Sequence, residues 1–517
     1  MAAPREKLAQ ALEALKALQD LDIVAIKKEE LSRIHRERLI RSHFLKEVIK
    51  GWFIATPEDE QYGDSTTWYT SYWGFCTRYL EQRFSDGYCL SADQSLLLHA
   101  GNRTVPYQLI VRSTNGGNSI TPLPFNTSLF SMKSQLPNSA EIIEQDGLFI
   151  LSLPSSLIHC SPSIFSKNPT DVRTALSQIS DSSEIIRLLI ENGHSTIAGR
   201  LAGAFRNTGQ VKIATDILSI MKSAGYDVRE NDPFGSATPV KLSMRDRSPY
   251  VNRIRLMWNE MREVVIRNFP IAPGIPQNKK TFLLSIEEQY VTDAYHSLSI
   301  EKYKVSSELI ERVRQGAWNP KKNKEDQQHR EAMAARGYWQ STLVVMKSIE
   351  RILQNENAGE VANDDHGLWY RELWAPSVLA GLIKASDLAG YRNNQVYIGS
   401  SKHVPLNVEA VRDAMPELMA LLSSESEASV RAVLGHFIFV YIHPYSDGNG
   451  RLGRFLMNVM LCSGGYPWTI IPVEQRTVYM AALEKVSVDL DIEPLAKFIA
   501  MLVVQTQKGT PLARKII

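Results

Sequence analysis

The sequence has few cysteines and no long apolar run, and both absences limit what the protein can be. Its 517 residues include four cysteines, at positions 76, 89, 160 and 462, with no CxxC pair and no regular spacing. This usage argues against a disulfide framework or a zinc site and favours a reducing compartment, so we expect a cytoplasmic protein with buried thiols. No stretch approaches the ~18 apolar residues of a membrane span, and the first residues are charged, unlike a signal segment. We therefore expect no membrane partner.

Internal repeats, low-complexity tracts and a strong net charge are also missing. The formal net charge is +2, with 44% hydrophobic and 22% charged residues. These proportions are typical of a soluble globular protein. A chain of this length should hold about two to four domains, each able to bury its own core.

Residues 443–454 carry more chemistry than any other segment. They read His-Pro-Tyr-Ser-Asp-Gly-Asn-Gly-Arg-Leu-Gly-Arg. Apolar residues recur at helical spacing before the segment, from Val430 to Tyr441, and again after it, from Leu452 to Met460. The pattern predicts a loop between two core helices that ends at a helix N-terminus, where free N–H groups and the helix dipole favour anions.

The glycines and arginines of this loop suit a phosphate ligand. Gly448 and Gly450 can turn successive N–H groups toward an anion without a side chain in the way. Arg451 and Arg454 lie at i and i+3 on one helical face, and guanidinium groups bind phosphate oxygens bidentately. The alternative is a polar surface turn with solvated arginines.

The other two groups predict acid–base and metal chemistry. His443 could accept the proton of an attacking hydroxyl, because imidazole titrates near neutral pH. Asp447 is a hard oxygen ligand that could hold Mg²⁺ bridging the phosphates. Catalysis here would consist of positioning and charge stabilisation.

The segment resembles the signature of the Fic (Fic/DOC) family, HxFx(D/E)GNGRxxR, with Tyr445 at the Phe position. The resemblance implies transfer of AMP from ATP to a Ser, Thr or Tyr hydroxyl of a target protein, or of the protein itself. Asn449, Gly450 and Arg451 would hold the α- and β-phosphates, and Arg454 the γ-phosphate. Kinase members depart from GNGR, which favours nucleotidyl transfer, while another phosphate donor or removal of AMP stays open.

A second segment, residues 390–399 followed by Pro405, resembles the target-docking flap of this family. Val396, Tyr397 and Ile398 have strand propensity, and Gly399 is a turn former. In the family, the flap hairpin pairs with an extended target segment by strand addition. Seen alone, such a hairpin could be purely structural.

A third segment, Ser297-Leu298-Ser299-Ile300-Glu301, resembles the family's inhibitory sequence (S/T)xxxE(G/N). Ser297 and Glu301 would share one face of a helix over about 282–302. The resemblance implies that Glu301 pairs with Arg454 and displaces the γ-phosphate. Lys302 stands where Gly or Asn is usual, and an ordinary surface glutamate is the alternative.

The N-terminal part predicts a second function. A leucine-striped helix over 1–19, an amphipathic helix over 28–40 with Leu31, Ile34 and Leu39 apolar, and a hairpin over 44–54 follow the order of a winged helix-turn-helix. The segment resembles the N-terminal winged helix of AbiEi-type antitoxin regulators. Such a module binds DNA or docks proteins. The candidate DNA contacts are Arg33, Arg36, Arg38, Arg41, Lys46 and Lys50.

The predicted architecture is multidomain. We expect a winged helix-turn-helix over 1–58, an α/β middle domain over 59–226, a linker over 227–248, an all-α Fic domain with a β-hairpin flap over 249–507, and a tail over 508–517. Helices within 183–225 could close the middle domain or form a homodimer contact. The main alternative to an enzyme is a DNA-binding transcriptional or toxin–antitoxin regulator whose Fic domain senses nucleotide.

Overall fold

The computed structural model describes residues 4–57, 60, 63–191, 193–235, 248–316 and 330–513. The chain forms two compact units. The N-terminal unit is Met1–Arg253 with Tyr397–Val404, and the C-terminal unit is Ile254–Val396 with Pro405–Ile517. All four cysteines are free thiols and buried. No helix within the described ranges has both the length and the apolar composition of a membrane span.

The N-terminal unit begins with two helices and a small sheet. The elements are α1 (Pro4–Gln19), β1 (Ala25–Lys27), α2 (Arg33–Arg41), β2 (Leu45–Ile49) and β3 (Trp52–Ala55). The strands pair antiparallel in the order β1-β3-β2. Leu15, Leu39 and Phe53 bring both helices and the sheet into one core. The predicted hairpin is confirmed as β2 and β3.

Helix α2 starts later than the predicted helix over 28–40. Residues 28–30 form a turn, and the Ser32 side chain caps α2 by accepting a hydrogen bond from the His35 N–H. A serine is a favoured cap because its oxygen satisfies an orphan N–H. Leu31 and Leu39 are buried as expected, but Ile34 is 65% exposed. The prediction for Ile34 is therefore wrong, since the helix turns that side chain outward.

The next part of this unit mixes helices and strands, as the sequence predicts. Its elements are α3 (Thr66–Phe84), β4 (Tyr88–Leu90), α4 (Ala92–His99), β5 (Gln108–Ser113), β6 (Ser119–Leu123), β7 (Thr127–Lys133), β8 (Ile142–Gln145) and β9 (Leu148–Leu151). One sheet has the order β4-β5-β7-β6, with β5 and β7 parallel, and β8 pairs with β9. Buried aromatic rings of Trp52, Trp68, Tyr72 and Phe75 pack edge to face in its core.

Helices complete this unit. They are α5 (Leu153–His159), α6 (Ile164–Lys167), α7 (Pro169–Ser177), α8 (Ser183–Glu191), α9 (Ser195–Asn207) and α10 (Val211–Ser223). The chain after α10 returns across α9, where a Cβ at Gly199 would lie 2.0 Å from the Arg229 carbonyl oxygen. Phe234 is buried in the core. The predicted linker over 227–248 is therefore wrong for residues 227–235, and residues 236–247 lie outside the described ranges.

In its described residues the C-terminal unit is built from α-helices and short 3₁₀ turns. The α-helices from the unit boundary onward are α11 (Pro249–Asn268), α12 (Lys279–Glu288), α13 (Tyr290–Ile300), α14 (Ser307–Arg314), α15 (Arg330–Leu353), α16 (Ala358–Leu379), α17 (Val408–Ser424), α18 (Ala428–Ile442), α19 (Asn449–Cys462), α20 (Arg476–Asp489) and α21 (Glu493–Gln507). Helices α18 and α19 are buried along almost their whole length. The helix predicted over 282–302 is two helices, because the chain breaks at Gln289, whose N–H bonds to the Ile286 carbonyl.

The predicted β-hairpin flap is wrong in its secondary structure. Residues 390–405 contain no strand, and a single turn closes where the Ser401 N–H donates to the Ile398 carbonyl. Side chains take the backbone carbonyls that strand pairing would use. Arg392 donates to the Asn394 carbonyl, and the Gln395 amide donates to that of Pro405.

Candidate active site

The predicted loop joins α18 to α19 and begins at His443. Helix α18 ends there because His443 is left-handed, with φ 56° and ψ 61°, and Pro444 has no N–H to continue the helix. The Nδ1 atom of His443 lies 3.0 Å from the Val440 carbonyl oxygen. Since that oxygen can only accept, Nδ1 carries the ring proton, and Nε2 keeps a lone pair.

The surroundings of His443 favour its neutral form. Burial lowers its pKa below the ordinary 6.5, and the charge of Arg392 acts in the same direction. The bond to Val440 and the carboxylates of Glu301 and Asp447 oppose this without reversing it. At neutral pH the ring is therefore available to accept a proton.

The Asn449 side chain stabilises the loop through two hydrogen bonds to the backbone of Tyr445. Its side-chain oxygen accepts from the Tyr445 N–H at 2.9 Å, and its amide donates to the Tyr445 carbonyl at 2.7 Å. Tyr445 is buried and stacks on Tyr370 with ring centroids 3.9 Å apart, so it fills the aromatic position of the signature. The Asn449 amide is thus occupied. The Asn449 side chain therefore uses its oxygen and one amide N–H on the loop itself, and its backbone N–H lies in the first turn of α19.

The glycines are needed for two different reasons. Gly448 caps α19 with φ 84°, a conformation that L side chains rarely adopt. A Cβ at Gly450 would lie 2.4 Å from Oε1 of Glu301. A carboxylate therefore approaches the first turn of α19, whose N–H groups have no acceptor within the helix. The structure places an anionic side chain where the sequence predicts an anion site.

Arg451 and Arg454 are almost completely buried, at 2% and 5% exposure. Nε of Arg451 and Nη1 of Arg454 have no hydrogen-bond partner within the described residues. Leaving a buried cationic N–H without an acceptor is costly. These donors suit an anionic ligand with several oxygens.

The predicted inhibitory segment contacts this helix directly. Nη2 of Arg454 donates to Oε1 of Glu301 at 2.8 Å and to the Ser297 carbonyl at 3.0 Å, and its Nε donates to the Ser297 hydroxyl at 2.9 Å. Burial alone would raise the pKa of Glu301, but the charges of Arg454 and Arg451 outweigh it and lower that pKa below its usual 4.5. Glu301 is therefore ionised at neutral pH.

Lys302 stands where the inhibitory signature that the segment resembles has Gly or Asn. It has φ 67°, in the left-handed region, directly after Glu301 caps α13. The Tyr303 N–H then bonds back to the Leu298 carbonyl at 3.1 Å. The turn forms with lysine, at the cost of backbone strain that glycine or asparagine would largely avoid.

Asp447 has the exposure expected of a group that meets a metal. Its side chain is 68% exposed, and Nη2 of Arg451 lies 3.9 Å away. No group of three or more His, Cys, Asp or Glu in the described part of the chain could hold a metal ion by itself. A single carboxylate fits Mg²⁺ that is bound mainly by phosphate oxygens and water.

Arg392 is a residue of this site that the sequence reasoning missed. It is 3% exposed, and its Nε donates to the His443 carbonyl at 2.8 Å, while its N–H donates to that of Pro444 at 3.0 Å. Its Nη2 donates to the Leu406 carbonyl. It thus ties the start of the loop to both ends of the flap segment. The only signal in the sequence was an arginine at the start of the segment predicted to be a hairpin.

The predicted flap residues divide between the two units. Val396 belongs to the C-terminal unit, whereas Tyr397, Ile398 and Gly399 belong to the N-terminal unit. Within that unit, the Ser400 N–H donates to the Thr66 hydroxyl at 2.8 Å, and the Val105 N–H donates to the Lys402 carbonyl at 3.0 Å. Tyr397 remains 43% exposed.

The six basic candidates for DNA contact differ in whether their side chains already contact other protein groups. Arg33 pairs with Glu37, Lys46 pairs with Glu60, and Arg38 donates to the Lys7 carbonyl. Arg36 donates to the Lys28 carbonyl. Arg41 and Lys50 are exposed at the end of α2 and the turn between β2 and β3.

Comparison with known proteins supports the resemblance of residues 443–454 to the Fic/DOC signature. The sequence model of the Fic/DOC family matches residues 373–461, so this part of the chain is a Fic/DOC domain. The proteins named protein adenylyltransferase Fic from Drosophila virilis and Drosophila ananassae are each 42% identical to it over 114 residues. That alignment covers 21% of this chain and 23% and 22% of theirs. The chain thus matches less than a quarter of the length of these curated relatives.

Similar solved structures include Fic-1 (residues 134–508) from C. elegans and a Fic family protein from Desulfovibrio desulfuricans. The first is 18% identical, covers 67% of this chain and 96% of its own, and superposes with a TM-score of 0.37. The second is 20% identical, covers 50% of this chain and 74% of its own, and superposes with a TM-score of 0.33. Superpositions this loose carry no argument about the whole chain.

Proposed function

We propose that the protein is an adenylyltransferase that transfers AMP from ATP to a Ser, Thr or Tyr hydroxyl of a target protein, and that Glu301 inhibits it from within. One observation carries the proposal. His443 bonds through Nδ1 to the Val440 carbonyl, so Nε2 is its acceptor nitrogen, and it stands at the start of the loop. The other end of the loop is a helix N-terminus with glycines and two buried arginines. This combination provides a base and an anion site on one short loop.

The residues of the loop would act in successive steps of the transfer. Nε2 of His443 takes the proton of the target hydroxyl, and the oxygen attacks the α-phosphorus of ATP. The bond from that phosphorus to the bridging oxygen breaks, and pyrophosphate leaves. The free N–H groups of Asn449, Gly450 and Arg451 and the two guanidinium groups stabilise the phosphate charge.

Asp447 would hold Mg²⁺, which neutralises phosphate charge when bound. The exposed carboxylate supports this role. The protein's own contribution is to keep Asp447 at the loop's surface while the His443 side chain is fixed by Val440.

Inhibition follows from competition for Arg454. The Glu301 carboxylate already occupies one of its donors, and a triphosphate entering the same place would meet a like charge. The target is expected to dock at the flap segment around Val396, Tyr397, Ile398 and Gly399.

Transfer of label from ATP tests the proposal. The Glu301→Gly protein, incubated with ATP labelled at the α-phosphate, should modify itself or a protein in lysate far more than the wild type does. ATP labelled at the γ-phosphate should leave no label on protein. Transfer of the γ-label would indicate a kinase, and absence of any α-label transfer by a folded Glu301→Gly protein would refute adenylylation.

A second candidate function, DNA binding, belongs to the N-terminal unit. The order helix, strand, helix and hairpin, with a β1-β3-β2 sheet, supports a winged helix, and Arg41 and Lys50 are exposed on it. If DNA binds there, its affinity should fall steeply between 50 and 200 mM salt, because phosphate contacts release counterions. A flat salt response in a fluorescence anisotropy titration would refute it.

A further inference from the structure

Two aromatic rings contact the guanidinium of Arg451. Its central carbon lies 5.1 Å from the ring centroid of Trp374 and 5.3 Å from that of Tyr303. Trp374 comes from α16, and Tyr303 follows the inhibitory segment. The aromatic contacts therefore reach Arg451 from two separate parts of the C-terminal unit.

Both rings contact a buried cation. Arg451 is 2% exposed, its Nε has no hydrogen-bond partner within the described residues, and Asp447 lies 3.9 Å from its Nη2. A ring face attracts a cation, and the attraction grows when both are desolvated. The rings therefore hold the guanidinium in place without using its N–H donors.

The held guanidinium faces the glycine-lined helix start. Its Nη2 lies 3.5 Å from where a Cβ at Gly448 would stand, and Nε1 of Trp374 lies 3.2 Å from the same point. Rotamer freedom of an arginine is costly to lose on binding, so a guanidinium fixed beforehand binds phosphate more tightly than a mobile one.

We propose that Trp374 and Tyr303 are positioning residues that orient Arg451 for the phosphates of the nucleotide through their ring faces. The inference rests on the proposed function, since it names what prepares the same anion site. It also means that residues 297–303 contact both arginines of the loop, Arg454 through Glu301 and Arg451 through Tyr303.

Calorimetric titration of ATP and of adenosine tests this in the Glu301→Gly background. Trp374→Leu and Tyr303→Leu should each weaken ATP binding about 3- to 30-fold, the range of a buried cation–ring contact, and leave adenosine binding unchanged. Trp374→Phe and Tyr303→Phe keep the ring and should stay within about threefold of the parent. Trp339→Leu is the matched control, because Trp339 contacts Arg314 in the same way, 5.6 Å from its ring centroid.

A double-mutant cycle separates positioning from general packing. In an Arg451→Met background, Trp374→Leu should add no further loss of ATP affinity, whereas a packing defect would add its full effect. Circular dichroism checks folding, and Tyr303→Leu decides the matter if Trp374→Leu does not fold.

The outcomes also separate this inference from the proposed function. If the Glu301→Gly parent is folded but binds no ATP, the proposed function fails. If the parent binds ATP and both Leu variants bind it equally well, the inference fails alone. Equal losses for ATP and adenosine, or a loss in Trp374→Phe as large as in Trp374→Leu, would also overturn it.

Discussion

The Glu301 carboxylate accepts a hydrogen bond from Nη2 of Arg454 at 2.8 Å, across 153 residues of sequence. The same carboxylate oxygen would lie 2.4 Å from a Cβ at Gly450. Glu301 therefore reaches both the arginine and the backbone of the helix start. A triphosphate bound there would have to displace a negative charge from the position where its own charge is best stabilised.

Replacement of His443 should abolish transfer without abolishing nucleotide binding. In the Glu301→Gly background, His443→Ala removes the base, while the arginines and the helix N-terminus remain. In the parent, the rate should rise with pH as His443 loses its proton and level off above a midpoint below 6.5, because burial lowers the pKa. Single-turnover rates between about pH 5 and 8 measure this. A midpoint above 7, or persistent transfer by His443→Ala, would contradict the assignment.

Lys302→Asn should stabilise the protein and strengthen inhibition. The left-handed φ of 67° costs lysine energy that asparagine tolerates better, so the free energy of unfolding should rise by about 0.5–1 kcal/mol. Urea denaturation measures the change. Lys304→Asn is the matched control, since Lys304 has no positive φ and should show no gain. Equal effects at both positions would mean that backbone strain is not the cause.

Gly450→Ala should destabilise the protein mainly while Glu301 is present. The new methyl group would lie 2.4 Å from Oε1 of Glu301, so this carboxylate has to shift, and weakening its bond to Arg454 should cost about 1–3 kcal/mol. In the Glu301→Gly background most of this cost should vanish, because alanine is otherwise well suited to a helix. Thermal or urea unfolding of the four proteins of the cycle gives the coupling. An unchanged cost in the Glu301→Gly background would place Glu301 elsewhere in solution.

The stability that Glu301 provides should depend on pH in a defined direction. Its pKa is lowered in the folded protein, so its contribution is present above the ordinary 4.5 and is lost as the pH falls through the lower folded value. The difference in melting temperature between wild type and Glu301→Gln should therefore be larger at pH 7 than at pH 4. A difference that grows toward acid pH would contradict the charged pair with Arg454.

The sequence predicted the loop from local spacing, whereas the pairing of Glu301 with Arg454 was implied by the resemblance to the family's inhibitory sequence. Arg451 and Arg454 had to follow the glycines on one helical face, and Ser297 and Glu301 had to lie one turn apart. The sequence could not show that the Asn449 side chain bonds to Tyr445 rather than to a ligand. Whether the Asn449 side chain bonds to Tyr445 depends on how closely the loop backbone approaches that side chain.

The predictions that failed depended on longer-range contacts. Residues 396–398 have strand propensity, but strands need partners, and Arg392 takes backbone carbonyls that pairing would use. Residues 227–235 are polar and contain Pro233, yet Gly199 lets them pack on α9. Neither Arg392 nor the ring contacts of Arg451 follow any spacing rule, because they join distant parts of the chain.

The most direct test of the account is a calorimetric titration of ATP with magnesium into the wild-type and Glu301→Gly proteins at pH 7. Competition between the carboxylate and the triphosphate predicts that Glu301→Gly binds ATP at least about tenfold more tightly, and that Arg454→Met in that background loses most of the gain. Equal affinities for wild type and Glu301→Gly, or no heat of ATP binding in either folded protein, would contradict it.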